Sequence, residues 1–470
     1  MSANNENSLP VCNDARVLAE SIIASRNFER SKQKTPKNVP FMASPVKNKP
    51  LELSGGKQAI LESPINFGGV LQSPGPSPAS LRFKSFGRVP NNFNSSFSGN
   101  SKTDFGSSYG TFVNNRQRVS NNFSSSNFTK GSNFNRINIL NKLSTKPIPF
   151  AQTNEPNLFQ LPVTLNTDKG KVTINTVYQD THPNGSCHKG QTVIMLHGSP
   201  GSHNDFKYIV PLLSPKGVRS IVINWPGMGY SEYDDNLKND NLERTEYVQS
   251  IINSLKLQKP LIFFGHSRGV ENAFRLAERN EEKTVGIVAA NFVGVQPHIG
   301  VRPFFAIKFL SALWEFAAWL KLQSVLEPIY KTIYKWVGFK VSDGSIAAHS
   351  LKTMTATDFD IQLRYLFPLV MNQKIRILFA YSGDDDMIEP ERSEELLDDI
   401  GLKEECRLIS KSTKDEQRTI ENTRKLLNKG HKQVAVYFAD EGHFLQKFRC
   451  KFLAESIIAI FDEADNKSKL

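Results

Sequence analysis

Residues 261–279 read LIFFGHSRGVENAFRLAER. The apolar run Leu261–Phe264 leads into Gly265-His-Ser-Arg-Gly269, and apolar positions at helical spacing continue to Arg279. A short apolar run bounded by a turn signal fits a strand buried on both faces. The G-x-S-x-G between strand and helix has a steric rationale. Ser267 must sit on a strained turn with its hydroxyl projecting above the sheet, so Gly265 and Gly269, two positions either side, must be small. The helix N-terminus behind the serine favours negative charge. Ser267 is therefore the candidate nucleophile.

Working outward, the same alternation recurs. Apolar runs at Thr192–Leu196, Val218–Ile223, Val285–Ala289, Ile375–Ala380 and Val434–Phe438 predict further buried strands. Helical segments are predicted at Asn241–Leu255, Val270–Arg279, Arg392–Ile400, Lys414–Asn428 and Arg449–Ala464. Leu161–Val177 (LPVTLNTDKGKVTINTV) reads as two alternating strands about Asp168-Lys-Gly170, a hairpin. Strands alternating with helices give an α/β class with a mostly parallel sheet flanked by helices, whose ligands bind beyond the carboxyl ends of the strands.

Before residue 147 the composition differs. Of the 470 residues, 1–150 hold 19 Lys+Arg against 7 Asp+Glu, which accounts for the whole formal charge of +12. A basic tail on a neutral body excludes a uniformly basic nucleic-acid-binding domain. Residues 1–146 scatter single phenylalanines through Asn, Ser, Gly and Pro, which cannot bury enough area to offset backbone entropy, so disorder is predicted. Phe-Gly pairs at Phe67, Phe86 and Phe105, Ser-Pro pairs at Ser44, Ser63, Ser73 and Ser77, and weak protein or RNA contacts are the uses such a tail suggests. Residues 155–465 are expected to fold as one catalytic domain. Cys12, Cys187, Cys406 and Cys450 form no CxxC pair, so reduced thiols are expected. The first residues lack a basic and apolar leader pattern, which suggests cytosol or nucleus.

Two further turns follow strands. Thr192-Val-Ile-Met-Leu-His197-Gly198-Ser199-Pro-Gly201 runs a strand into a His-Gly turn, whose Ser199 N–H can pair with that of Arg268 to hold a negative oxygen. Asn224-Trp-Pro-Gly-Met-Gly-Tyr-Ser231 follows the next strand. His197 and His266 lie inside these motifs and are read as loop-shaping residues. With the G-x-S-x-G, the three elements closely resemble the α/β-hydrolase fold family over roughly Leu161–Phe461, with Asn224 where relatives commonly carry Asp. More faintly, the set resembles a nematode branch of that fold.

The resemblance implies an acid and a histidine later in the chain. Tyr381-Ser-Gly-Asp-Asp-Asp-Met-Ile-Glu-Pro390 resembles the family's acid loop and selects Asp386, with Asp384 and Asp385 as rivals in a blurred register. Gly442-His443-Phe444 resembles the histidine loop. His443 would take the Ser267 proton and Asp386 would orient it. His431, His298 and His349 lack that context. The implied activity is cleavage of a carboxylic ester, thioester or amide of a small-molecule acyl substrate through acyl-Ser267. No phosphate loop or metal cluster is legible, so neither cofactor nor metal is expected. A silent hydrolase fold used for binding, or a protein acting through its tail, are the alternatives.

About residues 293–368 the family carries its lid. Phe304–Leu320 is an apolar 17-residue stretch, but Lys308 and Glu315 would cost about 5–7 kcal/mol in a bilayer centre against about 2.4–4.8 kcal/mol returned by eight Phe, Leu and Ile. No transmembrane segment is expected. A helix covering the pocket is preferred, with shallow lipid contact as the alternative. The aromatics Trp314, Trp319, Tyr330, Tyr334 and Trp336 suggest an acyl pocket; Trp314 is assigned to it, with His298 and Arg302 at its mouth.

Overall fold

The six apolar runs become six strands of one ten-stranded sheet. The computed structural model describes residues 147–467 apart from 186, 188, 189, 360 and 361; the expectations for the tail lie outside these residues. In chain order the strands are β1 (Ile148–Pro149), β2 (Leu158–Thr167), β3 (Gly170–Asp180), β4 (Thr192–Leu196), β5 (Arg219–Ile223), β6 (Leu261–His266), β7 (Thr284–Ala290), β8 (Arg376–Ser382), β9 (Arg407–Ser410) and β10 (Gln433–Phe438). Their order across the sheet is β1-β2-β3-β5-β4-β6-β7-β8-β10-β9. From β5 to β9 every neighbouring pair is parallel, while β1, β2 and β3 form an antiparallel edge. In the β2–β3 hairpin Thr167 pairs with Gly170 across a two-residue turn, and Gly170 has φ 115°, open to glycine alone.

The central strands read as unbroken apolar runs because both faces are covered. Alternation along each strand divides the side chains between two cores. Ile194, Leu196 and Phe263 share one with Tyr247, Phe274 and Leu396; Val193, Met195 and Phe264 share the other with Leu213, Leu427 and Phe452. The helices are α1 (Val210–Leu213), α2 (Asn241–Ser254), α3 (Gly269–Arg279), α4 (Phe304–Trp319), α5 (Gln323–Trp336), α6 (Gly344–Thr355), α7 (Gln362–Met371), α8 (Pro390–Asp399), α9 (Glu416–Asn428), α10 (Leu445–Phe448) and α11 (Cys450–Lys467); all but α4, α5 and α6 pack on the two sheet faces. Asp240 starts α2 by accepting the Glu243 N–H at 2.9 Å, and Asp343 starts α6 by accepting the Ile346 N–H at 3.0 Å.

Helices α4 to α7 lie between β7 and β8. Trp314, Tyr330, Tyr334, Ala347, Ala348 and Leu351 give this insertion a small core of its own. Its inner helix, α6, is tied to the sheet domain. Ser350 Oγ lies 2.9 Å from Ser199 Oγ, and the Arg268 guanidinium donates to Thr353 O and Ala356 O, each at 3.2 Å.

Candidate active site

The turn from β6 into α3 places Ser267 at φ 52°, a left-handed conformation that a serine holds only where packing enforces it. Packing here is backbone on backbone. A Cβ on Gly265 would stand 2.7 Å from Val270 N, and one on Gly269 would stand 2.8 Å from His197 O. Any side chain at either position would therefore push the turn apart. The Ser267 N–H donates to Ala290 O at 2.9 Å and the Val270 N–H to Ser267 O at 3.0 Å; neither bond uses the Arg268 N–H.

Two loops at the carboxyl edge of the sheet close on this serine. His443, between β10 and α10, sets Nε2 at 3.0 Å from Ser267 Oγ. Its Nδ1 lies 3.0 and 2.9 Å from the Asp385 carboxylate oxygens. The carboxylate on the imidazole is thus Asp385, which corrects the expectation of Asp386. After β8 the chain turns at Gly383, and Asp385 Oδ1 accepts the N–H groups of Met387 at 2.8 Å and Ile388 at 3.0 Å. That local turn fixes which of the three adjacent carboxylates faces inward. The Asp385 side chain is 1% exposed, whereas Asp384 and Asp386 are exposed to solvent. Burial pushes the Asp385 carboxyl up, but the His443 ring and the two N–H groups outweigh it and hold it below the ordinary value.

Asn291, just past β7, escaped the sequence reading. Its Nδ2 donates to Asp385 Oδ2 at 2.9 Å and to Ser382 Oγ at 2.8 Å, so an amide braces the acid from the neighbouring strand. The available signal was a polar residue, Asn291, directly following the fully buried β7.

The histidines inside the motifs shape loops. Burial pushes His266 down to about 3, so its ring is neutral. Its Nε2–H donates to His443 O at 2.8 Å, and its Nδ1 accepts from Gln446 Nε2 at 3.2 Å. Burial likewise pushes His197 down to about 3; its Nδ1 donates to Gly198 O at 2.8 Å, and the Trp225 indole donates to His197 O at 2.9 Å. These bonds hold the His197-Gly198-Ser199 turn against the elbow, where a Cβ on Gly198 would come within 3.0 Å of Ser267 Cβ. The Arg268 side chain is buried and pairs with Glu271 at 2.9 Å. Asn224 Oδ1 accepts the His203 N–H at 2.8 Å, a bond that ties its motif to the chain just past Gly201.

The three residues assigned to substrate have other partners. His298 is buried and donates from Nδ1 to Met387 O at 2.6 Å, bracing the acid loop; burial pushes it down to about 4. Arg302 pairs with Glu389. Trp314 is enclosed with Tyr330 and Tyr334 in the insertion's own core, its ring 5.3 Å from that of Tyr330, while Trp319 and Trp336 face solvent, which corrects their expected place in an acyl pocket. Among the described residues one group could hold a metal. Glu405, Cys406 and His431 bring ligand atoms within 4.8 Å of one another beside β9, at the far edge of the sheet from β1.

The profile of the family described as "Alpha/beta hydrolase of unknown function (DUF1057)" matches residues 155–462. An uncharacterized protein of Caenorhabditis elegans is 34% identical over 306 residues, covering 63% of this chain and 84% of that protein. An uncharacterized hydrolase of Saccharomyces cerevisiae is 24% identical over 302 residues, covering 58% of this chain and 89% of that one. Among solved structures, a thermophilic esterase from Thermogutta terrifontis aligns over 64% of this chain and 98% of its own, at 14% identity and a TM-score of 0.43.

Proposed function

Since the chain belongs to the family of α/β hydrolases whose profile spans residues 155–462, we propose that it is a serine hydrolase, cleaving a carboxylic ester, thioester or amide through an acyl-Ser267 intermediate. The single observation that carries the reading is the continuous path of Ser267 Oγ, His443 and Asp385, with contacts of 3.0 Å and 2.9 Å. Ser267 Oγ attacks the acyl carbon while its proton passes to His443 Nε2. Asp385, ionised and buried, accepts the Nδ1–H and keeps Nε2 free to receive that proton. The negative oxygen of the tetrahedral intermediate is held by the backbone N–H groups of Arg268 and Ser199. Each such donor contributes about 2.7–4 kcal/mol in comparable sites. The intermediate collapses as His443 returns the proton to the departing alcohol, thiol or amine. Water, deprotonated by the same imidazole, then attacks the acyl-serine; the carboxylic acid leaves and Ser267 regains its hydrogen.

A panel of p-nitrophenyl esters of short and long acids tests this. Turnover by the wild type, abolished in Ser267→Ala and His443→Ala, is the expected result. No turnover of any ester, thioester or amide by the folded chain contradicts it.

A further inference from the structure

Helix α4 is apolar on two opposite faces. One stripe, Ser311, Trp314 and Ala317, is buried in the insertion's core. The other, Phe305, Phe309, Ala312, Phe316 and Trp319, follows the i, i+4, i+7, i+11, i+14 spacing of a single helical face and points to solvent. Phe305 is 76% and Trp319 75% exposed. Helix α5 repeats the arrangement. Tyr330 and Tyr334 face inward, while Val325, Ile329 and Trp336 face outward, Trp336 at 84% exposure. The turn joining the two helices adds exposed Leu320 and Leu322. Exposed apolar residues scattered singly need no explanation, but two consecutive helices that each carry an exposed apolar stripe with a tryptophan near its end mark an interaction surface.

We propose that the outer faces of α4 and α5 dock on an anionic phospholipid bilayer surface. Charge identifies the occupant. Residues 304–340 carry Lys308, Lys321, Lys331, Lys335 and Lys340 against Glu315 and Glu327. Of the two acids, Glu315 is already paired with Lys352 at 3.0 Å. A second copy would bring the same positive surface against itself, whereas an anionic leaflet attracts it at about 1 kcal/mol per lysine. Phe and Trp on one face with lysines around it is the composition of a helix lying in the headgroup plane. The helices rest there without crossing. At about 1.5 Å per residue, the 16 residues of α4 span about 24 Å, short of the roughly 30 Å hydrocarbon layer. No helix among the described residues is long and apolar enough to cross a membrane. This inference concerns binding and stands independently of acyl transfer.

The four tryptophans make the test internal to the full chain. Trp225 and Trp314 are buried, Trp319 and Trp336 exposed. With vesicles of phosphatidylcholine and phosphatidylserine, tryptophan emission shifts to the blue and is quenched when brominated phosphatidylcholine is included; vesicles of phosphatidylcholine alone give a much weaker response. Trp319→Ser/Trp336→Ser, which keeps every lysine, binds roughly a hundredfold more weakly, about tenfold for each aromatic removed. Vesicle binding with unshifted, unquenched emission would show that the basic residues before 147 alone carry the contact, and overturns the proposal. So does absence of binding, or a blue shift that grows with protein concentration without lipid. If the double variant fails to fold, quenching of the wild type by the brominated lipid still decides.

Discussion

Replacing Asp385 by Asn tests the site at its most specific point, because the adjacent Asp386 provides a control differing by one position. Asp385 Oδ1 accepts the N–H groups of Met387 and Ile388, so an Asn carbonyl oxygen must keep that place. Its NH2 then falls where Oδ2 now meets His443 Nδ1 at 2.9 Å and the Asn291 amide at 2.9 Å. Asn291 can turn its amide over, since its Oδ1 is buried without a hydrogen-bond partner among the described residues and would accept. The imidazole keeps only Oδ1, at 3.0 Å and already shared by two N–H groups, while the new NH2 meets Nδ1 as a donor. The tautomer with Nδ1 as acceptor is thereby favoured; its proton sits on Nε2, and the nitrogen 3.0 Å from Ser267 Oγ cannot then receive one. Holding the wrong tautomer costs about 10⁴ in kcat in a comparable triad, or about 5.4 kcal/mol of transition-state stabilisation. Asp385→Asn therefore loses about 10⁴ in ester turnover while the chain stays folded, and exposed Asp386→Asn stays within about twofold of wild type. Turnover lost in Asp386→Asn and retained in Asp385→Asn would refute the reasoning.

Further perturbations follow from particular contacts. Asn291→Asp places a carboxylate beside Asp385, whose depressed pKa then rises, so the acid limb of the kcat/KM profile moves to higher pH; an unmoved limb contradicts the bracing role. The buried Arg244 guanidinium lies 3.8 Å from the Trp225 ring centre, and none of its nitrogens has a hydrogen-bond partner among the described residues. Arg244→Met therefore leaves the melting temperature unchanged or higher, and Arg244→Ala lowers it by leaving a void over the ring. Glu155 accepts from His203 at 2.7 Å and from Tyr230 at 2.7 Å; the His203 bond, against the opposing effect of burial, does most to bring its carboxyl down to about 2. A carboxyl lower in the folded than in the unfolded chain stabilises above about pH 4.5 and loses that contribution as pH falls toward 2. The melting-temperature gap between wild type and Glu155→Gln should accordingly close over that window.

The central strands were legible because burial on both faces writes an uninterrupted apolar run: Thr192–Leu196 was read at its observed bounds, and Leu261–His266 extends the reading by two residues. Ser267 was legible because it follows a strand in a turn whose flanking glycines are sterically required, and His443 because Gly442-His443-Phe444 after the last strand resembles the family's histidine loop. The acid was misread by one position because three carboxylates satisfy the same pattern. Only the folded turn, through the Met387 and Ile388 N–H groups, determines which one points inward. Strand β9, four residues at the sheet edge, is too short for its pattern to show. Asn291 acts across two strands that are remote in sequence, so no local pattern could assign it. For the insertion, sequence hydropathy gave one apolar helix; that its two faces have different neighbours became visible only once α5 and α6 had covered one of them.

Fluorophosphonate labelling with peptide mapping addresses the reactive hydroxyl without knowledge of the substrate. The folded wild type should be modified at Ser267, with labelling lost in Ser267→Ala and strongly slowed in His443→Ala. A folded protein that stays unlabelled, or that carries the phosphonate on another residue, would contradict the assignment of Ser267 as an activated nucleophile.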